Sequence, residues 1–292
     1  MRNILVPVDF GEASLRALDL GVKLAAKFDA KLTVIHAFHI PPAAYGYESL
    51  SWVADWANAS RRDLEALTAS TKRRHANTES RWVEDDPRLA IIDAAAELKA
   101  DLIIAGTHGR GVVSRLLYGS VAARLVRTSP VPLITTSASA QEAEIDPGIR
   151  HILIATDFGE PAQRARSIAC EIARRCDAGV TLLHVVPPSP RGPLPDGEAT
   201  PAAAKLALEA ELELTKTQAS RVDSVLVHGD PRAEILNVAR ARNADLIAMG
   251  THGRRGLSRL LLGSVAEAVA RTATEPVLTT AAQDNQERAG TQ

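Results

Sequence analysis

The residues with the clearest chemical potential form one glycine-rich motif that the chain contains twice. The first copy is Gly106-Thr107-His108-Gly109-Arg110 followed by Gly119-Ser120-Val121, and the second is Gly250-Thr251-His252-Gly253-Arg254 followed by Gly263-Ser264-Val265. Each copy follows an apolar run typical of a buried strand. A strand, a glycine loop and a helix N-terminus suit a bound phosphate, because backbone N–H groups converge there and the helix dipole favours negative charge.

The motif belongs to a repeat that covers most of the chain. Of the 36 residue pairs between 101–136 and 245–280, 21 are identical, and 11 of 28 pairs are identical between 2–29 and 150–177. The 292 residues therefore divide into two copies of one domain. The expected boundaries are 1–137 for the first domain, 138–148 for a small acidic linker, 149–281 for the second domain and 282–292 for a disordered polar tail.

The composition argues against several classes of protein. A formal net charge of −1 and an aromatic content of 3% do not favour a nucleic-acid partner. Asp9 and Glu12 interrupt the N-terminal segment, and no apolar run reaches the roughly 18 residues of a membrane span. We therefore expect a cytoplasmic protein without nucleic-acid or membrane partners. Cys170 and Cys176, six residues apart on an expected helix, are predicted to be inert packing residues.

Strands alternate with helices in both halves, which predicts an α/β fold. Right-handed crossovers then produce a parallel sheet with helices on both faces. Ligands bind beyond the carboxyl ends of such strands, where the strand order reverses. Asp9 and Asp157, each at the end of the first strand of its half, are therefore expected to meet the glycine loop. Strands are expected at 3–8, 32–38, 81–83, 101–105, 131–135, 151–155, 180–186, 222–227, 245–249 and 276–279, and helices at 12–28, 49–73, 87–99, 160–176, 202–219, 231–241 and from both Gly-Ser pairs.

These features resemble those of a tandem universal stress protein, with two such domains in one polypeptide. The resemblance rests on the aspartate that ends the first strand, on Asp86-Pro87 and Asp230-Pro231 at the third helices, and on both glycine motifs. It covers nearly all of residues 2–136 and 150–280. It implies a Rossmann-like, five-stranded parallel sheet of order 3-2-1-4-5 in each domain, and pairing through the last strand. In one branch of the family, this glycine motif marks domains that bind ATP.

The resemblance also implies which residues hold the nucleotide. The aspartate meets the ribose or adenine side, backbone at the end of the second strand meets the base, and the glycines with Gly-Ser take the phosphates. ATP is expected with Mg²⁺, and no residue is assigned a catalytic or metal-binding role. The nucleotide-binding residues are thus Pro7, Asp9, His36, Ala37, Gly106, Thr107, His108, Gly109, Arg110, Gly119, Ser120, Val121, Ala155, Asp157, His184, Val185, Gly250, Thr251, His252, Gly253, Arg254, Gly263, Ser264 and Val265.

Structural explanations stay open for each of these residue types. Glycine lets backbone approach a phosphate, but glycine loops also form plain strand-to-helix turns. Both aspartates could cap the following helix instead of contacting a ligand. Ser120 and Ser264 stand where an N-cap is expected, with a hydroxyl for the phosphate or for the helix itself. His108 and His252 could contact phosphate or stack against the loop backbone.

Two other patterns point to packing. His36 and His39 are not expected to form a metal site, because the second copy keeps only His184. Trp52 and Trp56, one helical turn apart, are expected to pack against a helix or a partner surface.

The halves differ in ways that bear on phosphate binding. Ser264 and Glu267 form a capping-box pattern that places a carboxylate near the phosphates, whereas the first copy has Ala123 in place of the glutamate. The first copy has Asp85 where the second has Gly229. Our hypothesis is that the two sites differ in affinity and that the first holds a triphosphate more easily.

Together these features predict a cytoplasmic, ATP-binding regulatory protein of the stress-response type. Binding is expected to order the glycine loops and to change the surface offered to partner proteins. No residues clearly position a nucleophile, so at most slow ATP hydrolysis is expected. A nucleotide-free interaction module and an enzyme acting on a nucleotide α-phosphate stay open as alternatives. The strands at 131–135 and 276–279 are expected to pair as an intrachain pseudo-dimer, and a further homodimer also stays open.

Overall fold

The structure is a computed structural model. It describes residues 1–39, 51–107, 119–137, 148–188, 201–251 and 263–281. The chain divides into two compact units, one built on the strands of the first half and the other on the strands of the second half.

Each half contains five strands and four helices among its described residues. The first half consists of β1 (Asn3–Pro7), α1 (Glu12–Phe28), β2 (Lys31–Phe38), α2 (Ser51–Arg74), β3 (Thr78–Glu84), α3 (Pro87–Glu97), β4 (Leu102–Gly106), α4 (Ser120–Thr128) and β5 (Leu133–Thr136). The second half consists of β6 (His151–Ala155), α5 (Glu160–Cys176), β7 (Gly179–Val186), α6 (Pro201–Lys216), β8 (Val222–His228), α7 (Pro231–Ala241), β9 (Leu246–Gly250), α8 (Ser264–Thr272) and β10 (Val277–Thr280).

The strands of each half lie parallel in the predicted order. The first half runs β3-β2-β1-β4-β5, and the second runs β8-β7-β6-β9-β10. The chain builds outward from β1 to β3 on one side and then crosses to β4 on the other. The carboxyl ends of β1 and β4 are therefore neighbours at the point where the order reverses, as are those of β6 and β9.

The apolar runs of the sequence become strands that are buried on both faces. The central residues of β1 and β4, including Leu5 and Ile103, are fully buried, and so are Leu153 and Ile247 of β6 and β9. Such continuous burial is expected of a parallel sheet between two helix layers. This core fixes the strand ends that carry the candidate site.

Two kinds of helix end recur in both halves. Helices α1 and α5 are followed by the C-cap residues Asp29 and Asp177, which have left-handed φ values of 52° and 55°. Helices α3 and α7 begin with N-caps Asp86 and Asp230, whose side chains accept hydrogen bonds from the backbone N–H groups of Arg88 and Arg232. A proline follows each aspartate in the first helical turn, where its missing N–H has no cost.

The predicted elements are confirmed, and their ends differ by a few residues. The third strand is longer than the predicted 81–83, because the other residues of β3 are polar and give no apolar pattern in the sequence. Helix α6 ends at Lys216 instead of 219. Most of the expected linker and the whole expected tail lie outside the described residues. Within the described residues, no helix combines the length and apolar character needed to cross a bilayer.

Candidate functional site

The carboxyl edge of each sheet brings together most of the predicted site residues that the structure describes. Pro7 and Ala155 end β1 and β6, and the aspartate turns follow directly. The centre of each glycine motif, with His108, Gly109, Arg110, His252, Gly253 and Arg254, lies outside the described residues.

Each aspartate holds a tight turn after the first strand of its half. The backbone N–H of Gly11 donates to Asp9 Oδ1 at 2.9 Å, and that of Gly159 donates to Asp157 Oδ1 at 3.1 Å. The phenylalanine inside each turn has a positive φ, 62° in the first half and 65° in the second. A bulky side chain is rarely found there, and such backbone conformations cluster at functional sites.

The aspartates do not cap the helices that follow them. Gly11 and Gly159 are the N-caps of α1 and α5, and neither helix start has a side-chain capping bond. This finding removes the capping explanation that the sequence left open. The carboxylates instead hold the turns at the strand ends.

A histidine from the second strand of each half contacts the end of the first strand and the phenylalanine of the turn. His36 Nδ1 lies 2.7 Å from the Val8 carbonyl oxygen, and His184 Nδ1 lies 2.7 Å from the Thr156 carbonyl oxygen. A carbonyl only accepts, so each Nδ1 carries the proton. Each ring also packs on the phenylalanine of the turn, with centroids 4.7 Å and 4.4 Å apart. Ala37 and Val185 follow these histidines along β2 and β7, so their backbone lies at the same edge.

The first glycine of each motif is needed for close packing. A Cβ at Gly106 would lie 2.6 Å from the backbone nitrogen of Ser14, and one at Gly250 would lie 2.7 Å from that of Ala162. The end of β4 or β9 thus touches the N-terminus of the helix that follows the aspartate turn. This contact confirms that two segments distant in sequence meet at one edge, and it explains both glycines without a ligand.

The two ends of each glycine loop are joined by one hydrogen bond. The Gly119 N–H donates to the Thr107 carbonyl at 2.7 Å, and the Gly263 N–H donates to the Thr251 carbonyl at the same distance. Both threonines are buried. Thr107 therefore lies beside Gly119, and Thr251 beside Gly263, at the carboxyl edge of each sheet.

Ser120 and Ser264 are the first helical residues, so the prediction that they are N-caps is wrong. Ala123 and Glu267 donate the first helical hydrogen bonds to the carbonyls of Gly119 and Gly263, which occupy the cap position. The capping box with Glu267 is wrong for the same reason, because the glycine cap shifts the helix start by one residue. Val121 and Val265 follow the serines in the first turn, whose N–H groups have no helical partners.

An arginine in contact with the second Gly-Ser pair was not among the residues predicted from the sequence. Arg232 donates to Ser264 Oγ at 3.4 Å in the second half. Its counterpart Arg88 instead forms an ion pair with Asp86. Hydrogen bonds from the Arg88 side chain lower the pKa of Asp86 to about 2, helped by its backbone N–H and charge and opposed by partial burial. The sequence signal was available as the repeated Asp-Pro-Arg.

A hydroxyl braces each aspartate turn, but from a different place in each half. In the first half, Ser14 Oγ of α1 accepts from the Asp9 N–H at 3.3 Å and donates to the Gly11 carbonyl at 2.9 Å. In the second half, Thr156 Oγ1 accepts from the Phe158 N–H at 3.0 Å. The residue that corresponds to Ser14 is Ala162, which has no hydroxyl.

Further sequence predictions concern the tryptophans, the histidines considered for a metal site and the cysteines. Trp56 is 52% exposed and meets the Phe38 ring edge-on at 5.1 Å, while the Trp52 side chain lies outside the described residues. Within the described ranges, no cluster of three His, Cys, Asp or Glu residues could hold a metal ion. Burial raises the pKa of the Cys170 thiol to about 11, which makes it unreactive near neutral pH.

A surface cavity of about 740 Å³ lies at the opposite edge of the second sheet. Its lining includes His151, Gly179, Val222 and Asp223, which stand at the amino ends of β6, β7 and β8. Burial lowers the pKa of His151 there. The cavity is separate from the carboxyl edge where the predicted site residues gather.

Comparison with known proteins points to one family. The family model described as the universal stress protein family matches residues 1–136 and again 148–280. A universal stress protein of Mycobacterium tuberculosis is 29% identical over 295 residues, covering 94% of this chain and 96% of that protein. The crystal structure of a universal stress protein from Archaeoglobus fulgidus covers 97% of both chains with a TM-score of 0.75 and 21% identity, which shows the same fold.

Solved structures also match one half of the chain. One is a universal stress protein in complex with cAMP, which covers 45% of this chain with a TM-score of 0.37 and 23% identity. A match at that level carries no argument about the ligand of this chain.

Proposed function

The chain belongs to the universal stress protein family, and on that premise we propose that each half binds an adenine nucleotide at the carboxyl edge of its sheet. The nucleotide is ATP with Mg²⁺, and the protein acts as a regulator whose surface changes with occupancy. Hydrolysis is slow or absent.

One observation carries this proposal: both halves build the same turn at the carboxyl edge, with the same residue types in direct contact with it. The turns at Asp9 and Asp157 share their hydrogen bond to the glycine two residues later and their positive-φ phenylalanine. The helix that follows each turn touches the strand that precedes the glycine loop. Local backbone strain of this kind persists only where the surroundings enforce it, and its repetition supports a shared ligand geometry.

The chemistry of the edge fits the parts of a nucleotide. First-turn N–H groups of α4 and α8 stand at the end of each loop and favour phosphate oxygens. A carboxylate has two oxygens that can each accept hydrogen bonds, which suits the paired hydroxyls of a ribose. Mg²⁺ is held mainly by substrate phosphates in such sites, so a dedicated protein cage is not required.

The arginines revise the expected difference between the two sites. Glu267 lies in the first turn of α8 and brings negative charge to the second site. Arg232, in contact with Ser264, brings a compensating positive charge. Arg88 is engaged by Asp86 in the first half. The charge of Glu267 alone therefore does not decide which site holds a triphosphate more tightly.

The test is a calorimetric titration of the purified full chain with Mg-ATP. Asp9→Ala and Asp157→Ala are each expected to remove one of the two binding events, and the double variant is expected to remove both. Asp19→Ala is the matched control, because Asp19 is an exposed aspartate that pairs with Arg74. If the wild-type chain binds no nucleotide in this titration, the proposal is wrong and a nucleotide-free interaction module is favoured.

A further inference from the structure

A buried polar cluster stands behind the second aspartate turn. Thr156 Oγ1 donates to Glu211 Oε2 at 2.9 Å, and Glu211 Oε1 lies 3.3 Å from Arg166 Nε. Arg166 also donates to Thr215 Oγ1 at 3.3 Å. The side chains of Arg166 and Glu211 are only 9% and 7% exposed. The cluster thus joins α5 and α6 to the end of β6, directly beside Asp157.

The same positions in the first half are apolar. The repeat register places Val8 opposite Thr156 and Leu18 opposite Arg166. Leu67 stands opposite Glu211, and Thr71 bonds the Leu67 carbonyl as Thr215 bonds the Glu211 carbonyl. Val8 and Leu18 are as buried as their polar counterparts. One fold therefore accommodates either set of side chains at this place.

The buried polar residues of the second half contribute no more to stability than apolar residues would at the same positions. In the described part of the chain, Arg166 Nε and Glu211 Oε1 are the two buried side-chain nitrogen or oxygen atoms that have no hydrogen bond. Apolar residues of similar size usually serve as well as a buried ion pair, or better. A costly arrangement that is kept at one site suggests a role there.

The cluster controls the hydroxyl that braces the turn. Thr156 Oγ1 can accept from the Phe158 N–H only while its own O–H points elsewhere, and that O–H donates its hydrogen bond to Glu211 Oε2. Arg166 holds the Glu211 carboxylate in place through charge. Ala162 lacks the hydroxyl that Ser14 provides in the first half, and in the second half Thr156 supplies a hydroxyl to the turn.

We propose that Glu211 and Arg166 are positioning residues for the second nucleotide site, acting through Thr156 on the turn that carries Asp157. This inference rests on the proposed function of that edge. Since Glu211 belongs to α6, occupancy of the second site and the packing of α6 are coupled, and each stabilises the other. The first site has no such connection through the side chain of Val8, because that side chain carries no hydrogen-bonding group.

The experiment transplants the first-half residues into the second half of the full chain. The parent is Asp9→Ala, so that Mg-ATP titration reports the second site only. Into it we place Thr156→Val, Arg166→Leu and Glu211→Leu together, and then add Ala162→Ser. The control is Thr181→Val, a buried strand threonine that bonds His151 at the other edge. Hydrogen exchange of the Phe158 N–H is measured on every variant.

The triple variant is expected to stay folded, as the first half is, and to raise the Kd for Mg-ATP about tenfold, the effect of roughly one lost hydrogen bond. Exchange of the Phe158 N–H is expected to accelerate by a similar factor. Ala162→Ser should recover most of the affinity, and Thr181→Val should leave it unchanged. Unchanged Kd and unchanged exchange in the triple variant would overturn the proposal.

A failure of the proposed function has a different signature. If the parent binds no Mg-ATP, the nucleotide assignment falls, and hydrogen exchange alone decides whether the cluster positions the turn. Faster exchange of the Phe158 N–H in the triple variant still supports the positioning role, and unchanged exchange overturns it.

Discussion

The two halves of the chain hold the same turn in different ways. In the first half, Ser14 of α1 accepts a hydrogen bond from the turn, and the positions of Thr156 and Arg166 are occupied by the buried apolar residues Val8 and Leu18. In the second half, Thr156 supports the turn from the strand end and is itself held by a buried ion pair. The phenylalanine φ values nevertheless agree within a few degrees, at 62° and 65°. The geometry of the turn is therefore maintained while the residues that support it have changed.

The features that did not change are those in direct contact with the turn. The aspartate, the glycine that donates to it and the histidine that stacks on the phenylalanine occur in both halves. Supporting side chains are exchangeable because several combinations can fill one buried volume. Residues at the carboxyl edge itself have fewer substitutes.

The largest effect is expected from breaking the ion pair of the second half. Arg166→Leu alone leaves Glu211 buried without its partner and should lower the free energy of unfolding by about 3–5 kcal/mol. Adding Glu211→Leu should recover most of that loss. Urea denaturation of both variants measures the effect, and equal losses in the single and double variants would contradict it.

A smaller loss is expected at the glycines that both halves share. Gly106→Ala and Gly250→Ala place a Cβ against helix backbone, at 2.6 Å and 2.7 Å. Each should destabilise its own half by about 1–3 kcal/mol through overpacking. Gly148→Ala is the control, because a Cβ there meets no atom within 4 Å. Equal melting temperatures for all three variants would show that the close approach between the strand end and the helix is not needed for stability.

A smaller loss of stability is expected when the Ser14 hydroxyl, which supports the turn of the first half, is removed. Ser14→Ala removes the hydroxyl that bonds the Asp9 N–H and the Gly11 carbonyl, and should lower the free energy of unfolding by about 1 kcal/mol. Exchange of the Asp9 N–H should accelerate, while the Phe158 N–H of the second half is unaffected. An equal change in both halves would mean that the braces are not local.

The smallest effect concerns the ion pair that distinguishes Arg88 from Arg232. The pKa of Asp86 is lowered from 3.8 to about 2, so the bond adds stability above the ordinary pKa and loses it as the pH falls from about 4 through 2. Arg88→Ala should return the pKa of Asp86 toward 3.8 with little change in stability at neutral pH, because the arginine is half exposed. NMR titration of the Asp86 carboxyl group measures this, and an unshifted pKa in the wild type would refute it.

The sequence predicted the fold well because its signals are local and repeated. The apolar run from Leu102, the Asp-Pro helix starts and the duplicated glycine motif each identify an element without tertiary information. The strand order came from resemblance, since hydrophobic pattern alone does not order parallel strands. The error at Ser120 and Ser264 arose because Gly-Ser offers two acceptable N-caps, and only the backbone shows which one is used.

The supporting residues could not be predicted from local patterns. Glu211 and Arg166 look like ordinary residues on exposed faces of two helices that are separated by a strand and a long loop. Only the packing of α5 against α6 buries them together next to Thr156. The available signal was the alignment of the two halves, in which Leu18 aligns with Arg166 and Leu67 aligns with Glu211.

The central claim is that each half of the chain holds an adenine nucleotide. The most direct measurement is mass spectrometry of the small molecules released when the protein, saturated with Mg-ATP and freed of excess ligand, is denatured. We predict an adenine nucleotide at about two per chain, falling by about one in Asp9→Ala and by about one in Asp157→Ala. No released nucleotide, or a ratio that neither substitution changes, would contradict the claim.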